Sequence, residues 1–245
     1  MAKVEGRNPV VELLKGQRRV EKVLILDRAS GQVIDKIYNL AQQKNVSVEK
    51  VAKEKLNNLA KSHAHQGVIA FAESLDYCSL DKLIKQAKTE SKEPFFILLD
   101  EIKDPHNFGS ILRTAEAAGV DGVIIPKRRA VGFTPVVTKT SAGAVEYLPV
   151  AQVTNLARTI DRLKEERFWI AGADLEAQQS CYQADLGGAL GLVIGSEGSG
   201  MRRLVKEKCD FLIKMPMKGQ IESLNASVAA GILIYEALRQ RNEEG

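Results

Sequence analysis

The chain has 245 residues, 44% hydrophobic and 27% charged, with a formal net charge of +4 at pH 7. That length holds one large domain or two small ones, and the composition excludes disordered, fibrous and disulfide-stapled classes. No segment reaches the ~20 uninterrupted apolar residues of a membrane helix, so no membrane association is expected.

The amino-terminal MAKVEGRNPV lacks the apolar core of a signal peptide. Cys78, Cys181 and Cys209 are scattered, odd in number and without metal-ligand spacing. Free thiols in a reducing compartment, and hence a cytoplasmic location, are the expectation. The charge is uneven. Residues 1–75 carry 13 Lys/Arg against 8 Asp/Glu, a net +5, and residues 76–245 carry 22 against 23, a net −1. A basic first third is what a polyanion-binding module presents, though a lysine-rich solvated surface gives the same count.

In chain order, residues 6–16 (GRNPVVELLKG) read as a short helix with Asn8 as cap, Pro9 at its first position and Gly16 as stop. Residues 22–26 are a strand. Residues 31–44 place Val33, Ile34, Ile37 and Leu40 at helical spacing. A strand at 46–51, a helix at 53–61 and a strand at 68–72 complete an α/β unit. His63 and His65 lie in the turn before that last strand. They bring too few ligands for a metal, which leaves a loop contact to RNA or a structural role. Residues 76–93 read as a helix fading into a polar linker.

A second α/β unit starts at Phe95. Strand 95–100 (FFILLD) leads through EIKDPHN into a helix, 108–118, and then to a strand at 123–126. Loop KRRAVGFTP, a helical stretch to Gly143, a segment at 146–150, helix 154–166 and strand 168–171 follow. Strand 190–195, helix 202–208, strand 211–215 and a long helix from Ala226 close the chain. Strands alternating with helices predict a parallel sheet covered on both faces. Ligands of such sheets sit at the carboxyl ends of strands. The polar clusters Asp104–Asn107, Gly195–Gly200 and Met217–Asn225 all fall at such ends.

Each cluster has its own chemistry. Asn107 stands at a helix start. Arg113, six residues on among Ile111, Leu112, Ala115 and Ala118, is expected either in a buried ion pair or against a polyanion. GSEGSGM, residues 195–201, follows an apolar strand, and its glycines permit positive φ and close approach of a ligand to the backbone. Its order, G-x-x-G-x-G, is not the dinucleotide G-x-G-x-x-G, and no Walker loop is present. Glu197 within it can face solvent or a ligand. Either Ser223 or Asn225 suits the cap of the last helix, whose apolar sides predict burial. His106 is a lone loop histidine with no assigned role.

Together the clusters resemble the three motifs of the SpoU (TrmH) family of RNA 2′-O-ribose methyltransferases. NFGSILRTA is residues 107–115, IGSEGSGM is residues 194–201, and MPMKGQIESLNASVAAGI is residues 215–232. The first domain, with GRNPV at its start and HQG before its last strand, is similar to the L30e-like RNA-binding domain of the family's ribosomal RNA branch. The resemblance implies an L30e-like domain over residues 1–75, a helical or polar linker over 76–93, and an α/β SPOUT methyltransferase domain over 94–245. That second domain is implied to have a parallel sheet and a deep trefoil knot.

The resemblance also implies S-adenosylmethionine as methyl donor, held around Gly195, Met215 and Leu224. It implies Asn107, Arg113, Glu197, Ser223 and Asn225 as the catalytic polar set, with Arg113 facing the cofactor pocket of the other subunit of a homodimer. Its reaction is attack of a ribose 2′-oxygen, a guanosine of large-subunit rRNA being the expected target, and it requires no metal. The family gives Arg113 the role of base. A guanidinium, with a pKa above ~12, stays charged, so binding the target phosphate and favouring a developing alkoxide suit it better. A tRNA ribose methyltransferase and a non-catalytic ribosome-assembly factor share these features. The basic first domain favours rRNA.

Overall fold

The computed structural model describes residues 1–60 and 65–243, so His63 lies outside the described residues. Its elements in chain order begin β1 (Ala2–Glu5), α1 (Arg7–Lys15), β2 (Val20–Leu26), α2 (Gln32–Gln43), β3 (Ser47–Val51), α3 (Lys53–Leu59) and β4 (Val68–Ala72). Next come α4 (Leu80–Glu90), β5 (Phe95–Leu99), α5 (Pro105–Ala117), β6 (Gly122–Pro126), α6 (Pro135–Thr140) and a 3-10 turn (Ala144–Glu146). The chain closes with β7 (Val150–Val153), α7 (Leu156–Glu165), β8 (Trp169–Ala173), β9 (Gln179–Ser180), β10 (Leu190–Ile194), α8 (Arg203–Lys208), β11 (Phe211–Lys214) and α9 (Ala226–Glu243). There are two compact units. One holds Met1–Asp76 together with Gly132–Tyr147, and the other holds Tyr77–Val131 together with the chain from Leu148.

The first unit is a four-stranded sheet in the order β1-β4-β2-β3, with β2 and β3 parallel and the other pairs antiparallel. β2 is buried on both faces at Val23, Leu24 and Ile25, and one set of its residues meets α1 and α2. Val23 and Ile25 join Leu13, Leu14, Ile34 and Ile37 in one cluster. Leu24 instead joins Val51, Leu56 of α3 and Ile69. Helix α1 starts one residue before the Asn8 cap expected from sequence. Gly6, with φ +104°, precedes it, and no side chain caps it. Gly16 ends it as read. His65 is buried, accepting from the Gly67 amide at Nδ1 (3.0 Å) and meeting Asn57 Oδ1 at Nε2 (3.0 Å). Its role there is structural.

The excursion Gly132–Tyr147 is held in this unit by polar ties. Arg18 Nη2 meets Glu146 at 2.6 Å, and Tyr147 Oη donates to Glu12 at 2.7 Å. Burial pushes the Glu146 carboxyl up and the Arg18 guanidinium down from their ordinary values. Desolvation therefore outweighs their mutual attraction at both ends of the pair.

The second unit is a seven-stranded sheet, β7-β6-β5-β10-β8-β11-β9, and every strand pair in it is parallel. Its central strands are buried along their whole length, which is why FFILL and LGLVI read as unbroken apolar runs. Phe96 stacks on Phe168 (5.0 Å between centroids) in a core shared with α4 and α7. The segment 76–93, expected as a helix fading into a polar linker, contains α4, with Leu83, Ile84 and Ala87 buried in that core. Ser79 caps it. The alternating charged residues that suggested a linker are its solvent face. Helices α5 and α9 pack on each other.

The expectation that α9 is buried on several sides does not hold in this chain. Ala226, Ala230, Leu233, Ile234 and Ala237 are buried, whereas Val228 and Tyr235 are each 50% exposed. The apolar pattern there meets no partner surface among the described residues.

Candidate active site

Parallel strands β5, β10 and β11 deliver three loops to one end of the second sheet. Two of these are tied by an ion pair whose carboxylate is buried. Asp100, the residue after β5, is fully buried. Its amide donates to Ile194 O (2.9 Å). Its carboxylate accepts from Arg202 N–H (2.8 Å), Nε (2.8 Å) and Nη2 (2.6 Å). These hydrogen bonds raise the Arg202 guanidinium above its ordinary value. Three donors offset the desolvation that an isolated carboxylate would suffer. Arg202 follows the glycine-rich run, so the pair anchors that loop to the end of β5.

The loop is a narrow hairpin. Ser196 and Gly200 exchange backbone bonds at 3.0 and 2.9 Å, and Gly198 takes φ +81°. A Cβ on Gly195 would overlap the main chain of Gly200 and Met201. The glycine at 195 is thus required by the loop's own two arms.

Glu197 hangs from this hairpin between two helix starts. Asp104 caps α5 by accepting from the amides of His106 (2.6 Å) and Asn107 (3.4 Å), with Pro105 at the first position. Asn107 therefore sits inside the first turn, 8% exposed, and is not the cap. At α9, Asn225 Oδ1 accepts from the amides of Ser227 (3.0 Å) and Val228 (3.3 Å) and is the cap. With Oδ1 so engaged, Asn225 Nδ2 faces Asn107 Oδ1 (3.0 Å) and Glu197 Oε1. That carboxylate oxygen also accepts from Asn107 Nδ2 (2.9 Å) and the Ala226 amide (3.1 Å). An acceptor anion at the amino ends of two helices lies where their dipoles favour it. One charged oxygen therefore locks α5, the hairpin and α9 together.

Beside this network lies a cleft of about 250 Å³, lined by Glu101, Lys103, Asn107, Ser196, Glu197 and Ser199 among others.

Other expected residues sit apart from the network. Arg113 is exposed and forms no ion pair or hydrogen bond among the described residues, so the buried-pair alternative falls. Ser223 is exposed and does not cap α9. Met215 and Leu224 are half-buried at the two ends of the segment after β11. Sequence reading placed Asp104 in a polar cluster without giving it the cap's role, and passed over Asp100 and Arg202. One signal was available: a charged residue closing the apolar run FFILL. Among the described residues no group of three or more His, Cys, Asp or Glu is placed to hold a metal ion.

The SpoU rRNA Methylase family model matches residues 94–235. A model for RNA 2′-O ribose methyltransferase substrate binding matches residues 3–78. A Bacillus subtilis protein, YacO, named for the TrmH family of tRNA/rRNA methyltransferases, is 48% identical over 99% of this chain and 97% of its own. The SpoU methyltransferase AviRb from Streptomyces viridochromogenes, solved in complex with AdoMet, superposes with a TM-score of 0.80 at 26% identity. That match covers 97% of this chain and 89% of AviRb. A solved RNA 2′-O ribose methyltransferase gives 0.79 at 25% identity, covering 97% and 88%. The chain belongs to the SpoU rRNA methylase family.

Proposed function

We propose that this chain methylates a guanosine ribose 2′-hydroxyl of large-subunit rRNA, as a homodimer in the cytoplasm. Family membership makes it an S-adenosylmethionine-dependent RNA 2′-O-ribose methyltransferase. The observation that carries the reading is the Asn107–Glu197–Asn225 network, which joins one polar residue from each of the three motifs.

The residues after β11 fit the cofactor. Residues 216–223 are exposed, and their main-chain groups make no hydrogen bond among the described residues, which suits recognition of an adenine edge. Ile221, 74% exposed, and Leu224 offer it apolar cover. Gly195, Met215 and Leu224 are the residues that would hold it. S-adenosylmethionine supplies a methyl group on an already activated sulfonium. What remains for the protein is alignment and the handling of one hydroxyl proton. Glu197 and Asn225 fix the spacing of the loops, and Asn107 and Ser223 offer hydrogen bonds to the nucleotide. Arg113, a cation without a partner among the described residues, binds the target phosphate and favours the developing alkoxide.

Three features support the finer points. The open stripe Val228, Ile232 and Tyr235 on α9 gives an isologous dimer an apolar seam. The basic first unit, matched by a substrate-binding model, favours rRNA. Insertion of β10 between β5 and β8 supports the deep knot. Ribose-methylation mapping of rRNA and tRNA, from cells with and without the protein, tests the choice of RNA. Loss of one large-subunit rRNA site is expected, and loss of a tRNA site instead would overturn it.

A further inference from the structure

Two neighbouring loops of the second unit each contain a non-glycine residue in the left-handed region, and the two residues pair with each other. Glu101 and Arg129 both have φ +62°, and Arg129 Nη1 meets Glu101 Oε1 at 3.2 Å. Such backbone is uncommon outside glycine and persists where the surroundings over-determine it, most often at functional sites. The loops are fixed together by Val131 N–H donating to Ile102 O at 2.9 Å. Glu101 also lies 3.7 Å from Lys103 Nζ and 3.6 Å from Arg202 Nε, and its side chain is only 14% exposed. Arg129 and Lys103 are each 67% exposed. Glu101 and Lys103 both line the cleft that contains Asn107 and Glu197. Arg129 ends the run Lys127, Arg128, Arg129, three consecutive exposed cations.

The arrangement is a carboxylate held under a cationic rim at the mouth of the reaction cleft. Arg202 has Asp100 as its main partner and does not depend on Glu101. Arg129 and Lys103 have Glu101 alone among the described residues. We infer that Arg129 and Lys103 form a binding site for a phosphate of the substrate RNA backbone, and that Glu101 occupies it as an internal stand-in until RNA arrives. The inference rests on the RNA methyltransferase reading and adds to it a site and a competing group. On RNA binding a phosphate replaces the Glu101 carboxylate at the two exposed cations. Both cations are exposed, so the pairs are open to salt screening from their side and a phosphate can reach them. Glu101 then discriminates against RNA that does not reach the cleft.

The test uses the full-length protein, a short fluorescent single-stranded oligoribonucleotide and a salt titration. Arg129→Ala and Lys103→Ala should each weaken binding and make the log–log salt slope shallower by about 0.7. Glu101→Gln, which keeps size and hydrogen-bonding capacity, should tighten binding by about threefold in the wild-type background, the scale of a weak ion pair with a solvent-exposed cation. In the Arg129→Ala, Lys103→Ala background it should change nothing. S-adenosylmethionine affinity measured on the same samples should stay constant throughout. Weaker binding by Glu101→Gln, or gains equal in both backgrounds, would show a merely structural carboxylate and overturn the inference. An unchanged salt slope in both alanine variants would overturn it too. Wild-type protein failing to methylate any RNA would instead remove the underlying reading, so the two failures are distinguishable.

Discussion

Asn107 and Glu197, ninety residues apart in the chain, are joined by a 2.9 Å hydrogen bond that connects the first turn of α5 to the glycine-rich hairpin. The same carboxylate oxygen takes the start of α9. Glu197→Ala removes the acceptor and strands a nearly buried amide. We expect a stability loss of about 2 kcal/mol in urea melts. The accompanying fall in kcat/KM should be about a hundredfold. Unchanged kcat/KM with an unchanged melt would separate the network from the reaction.

Asp100 and Arg202 lead to a different expectation. Arg202→Ala leaves a fully buried carboxylate without its cation, costing about 3–5 kcal/mol. Arg202→Ala combined with Asp100→Asn should be less damaging than Arg202→Ala alone. A double-mutant cycle with additive losses would contradict this account of the hairpin anchor.

In the first unit the pair Arg18–Glu146 is desolvated, with the carboxyl raised and the guanidinium lowered. A raised folded-state carboxyl contributes stability at acid pH that is lost as pH rises through its folded value. At neutral pH, then, Arg18→Met with Glu146→Leu should be neutral or stabilising in thermal melts, whereas either change alone should destabilise.

Burial pushes the Cys209 thiol up to about 12. Alkylation at pH 8 should therefore spare Cys209 in the native protein and modify it after denaturation. Because the folded state favours the neutral thiol, the stability it contributes should decline as pH rises from about 9, the ordinary thiol value, towards 12. Rapid native alkylation, detected by peptide mass spectrometry, would contradict that burial.

The proposed cross-subunit role of Arg113 is tested by mixing inactive variants. Arg113→Ala should retain cofactor binding, and Leu224→Asp should lose it. Random mixing should restore about a quarter of wild-type activity, since half the dimers are mixed and each has one intact site of two. Background activity, with heterodimers seen by mass spectrometry, would place each site within one chain.

How far the sequence revealed these features depended on range. The central strands were legible because burial on both faces writes an unbroken apolar run. The stop of α1 at Gly16 was legible for local reasons too. Asn107, Glu197 and Asn225 came from motif resemblance. Their mutual bonds span 28 to 118 residues and could not be read from spacing. Asp100 and Arg202, 102 residues apart, were missed for the same cause. The excursion Gly132–Tyr147 reads as an ordinary strand–helix connection, because nothing local records that Glu146 meets Arg18. Arg113 on a mostly apolar helix left a buried ion pair or a polyanion contact open, and it lies on the exposed side of α5.

The central claim, methyl transfer to an RNA ribose, is tested most directly with purified protein, large-subunit rRNA and methyl-labelled S-adenosylmethionine. After alkaline hydrolysis the label should persist in a single dinucleotide resistant to cleavage, because a methylated 2′-oxygen cannot attack the adjacent phosphate. Its 5′ nucleoside should be 2′-O-methylguanosine. Label recovered on a base, or no incorporation by folded protein that binds the cofactor, would contradict the account.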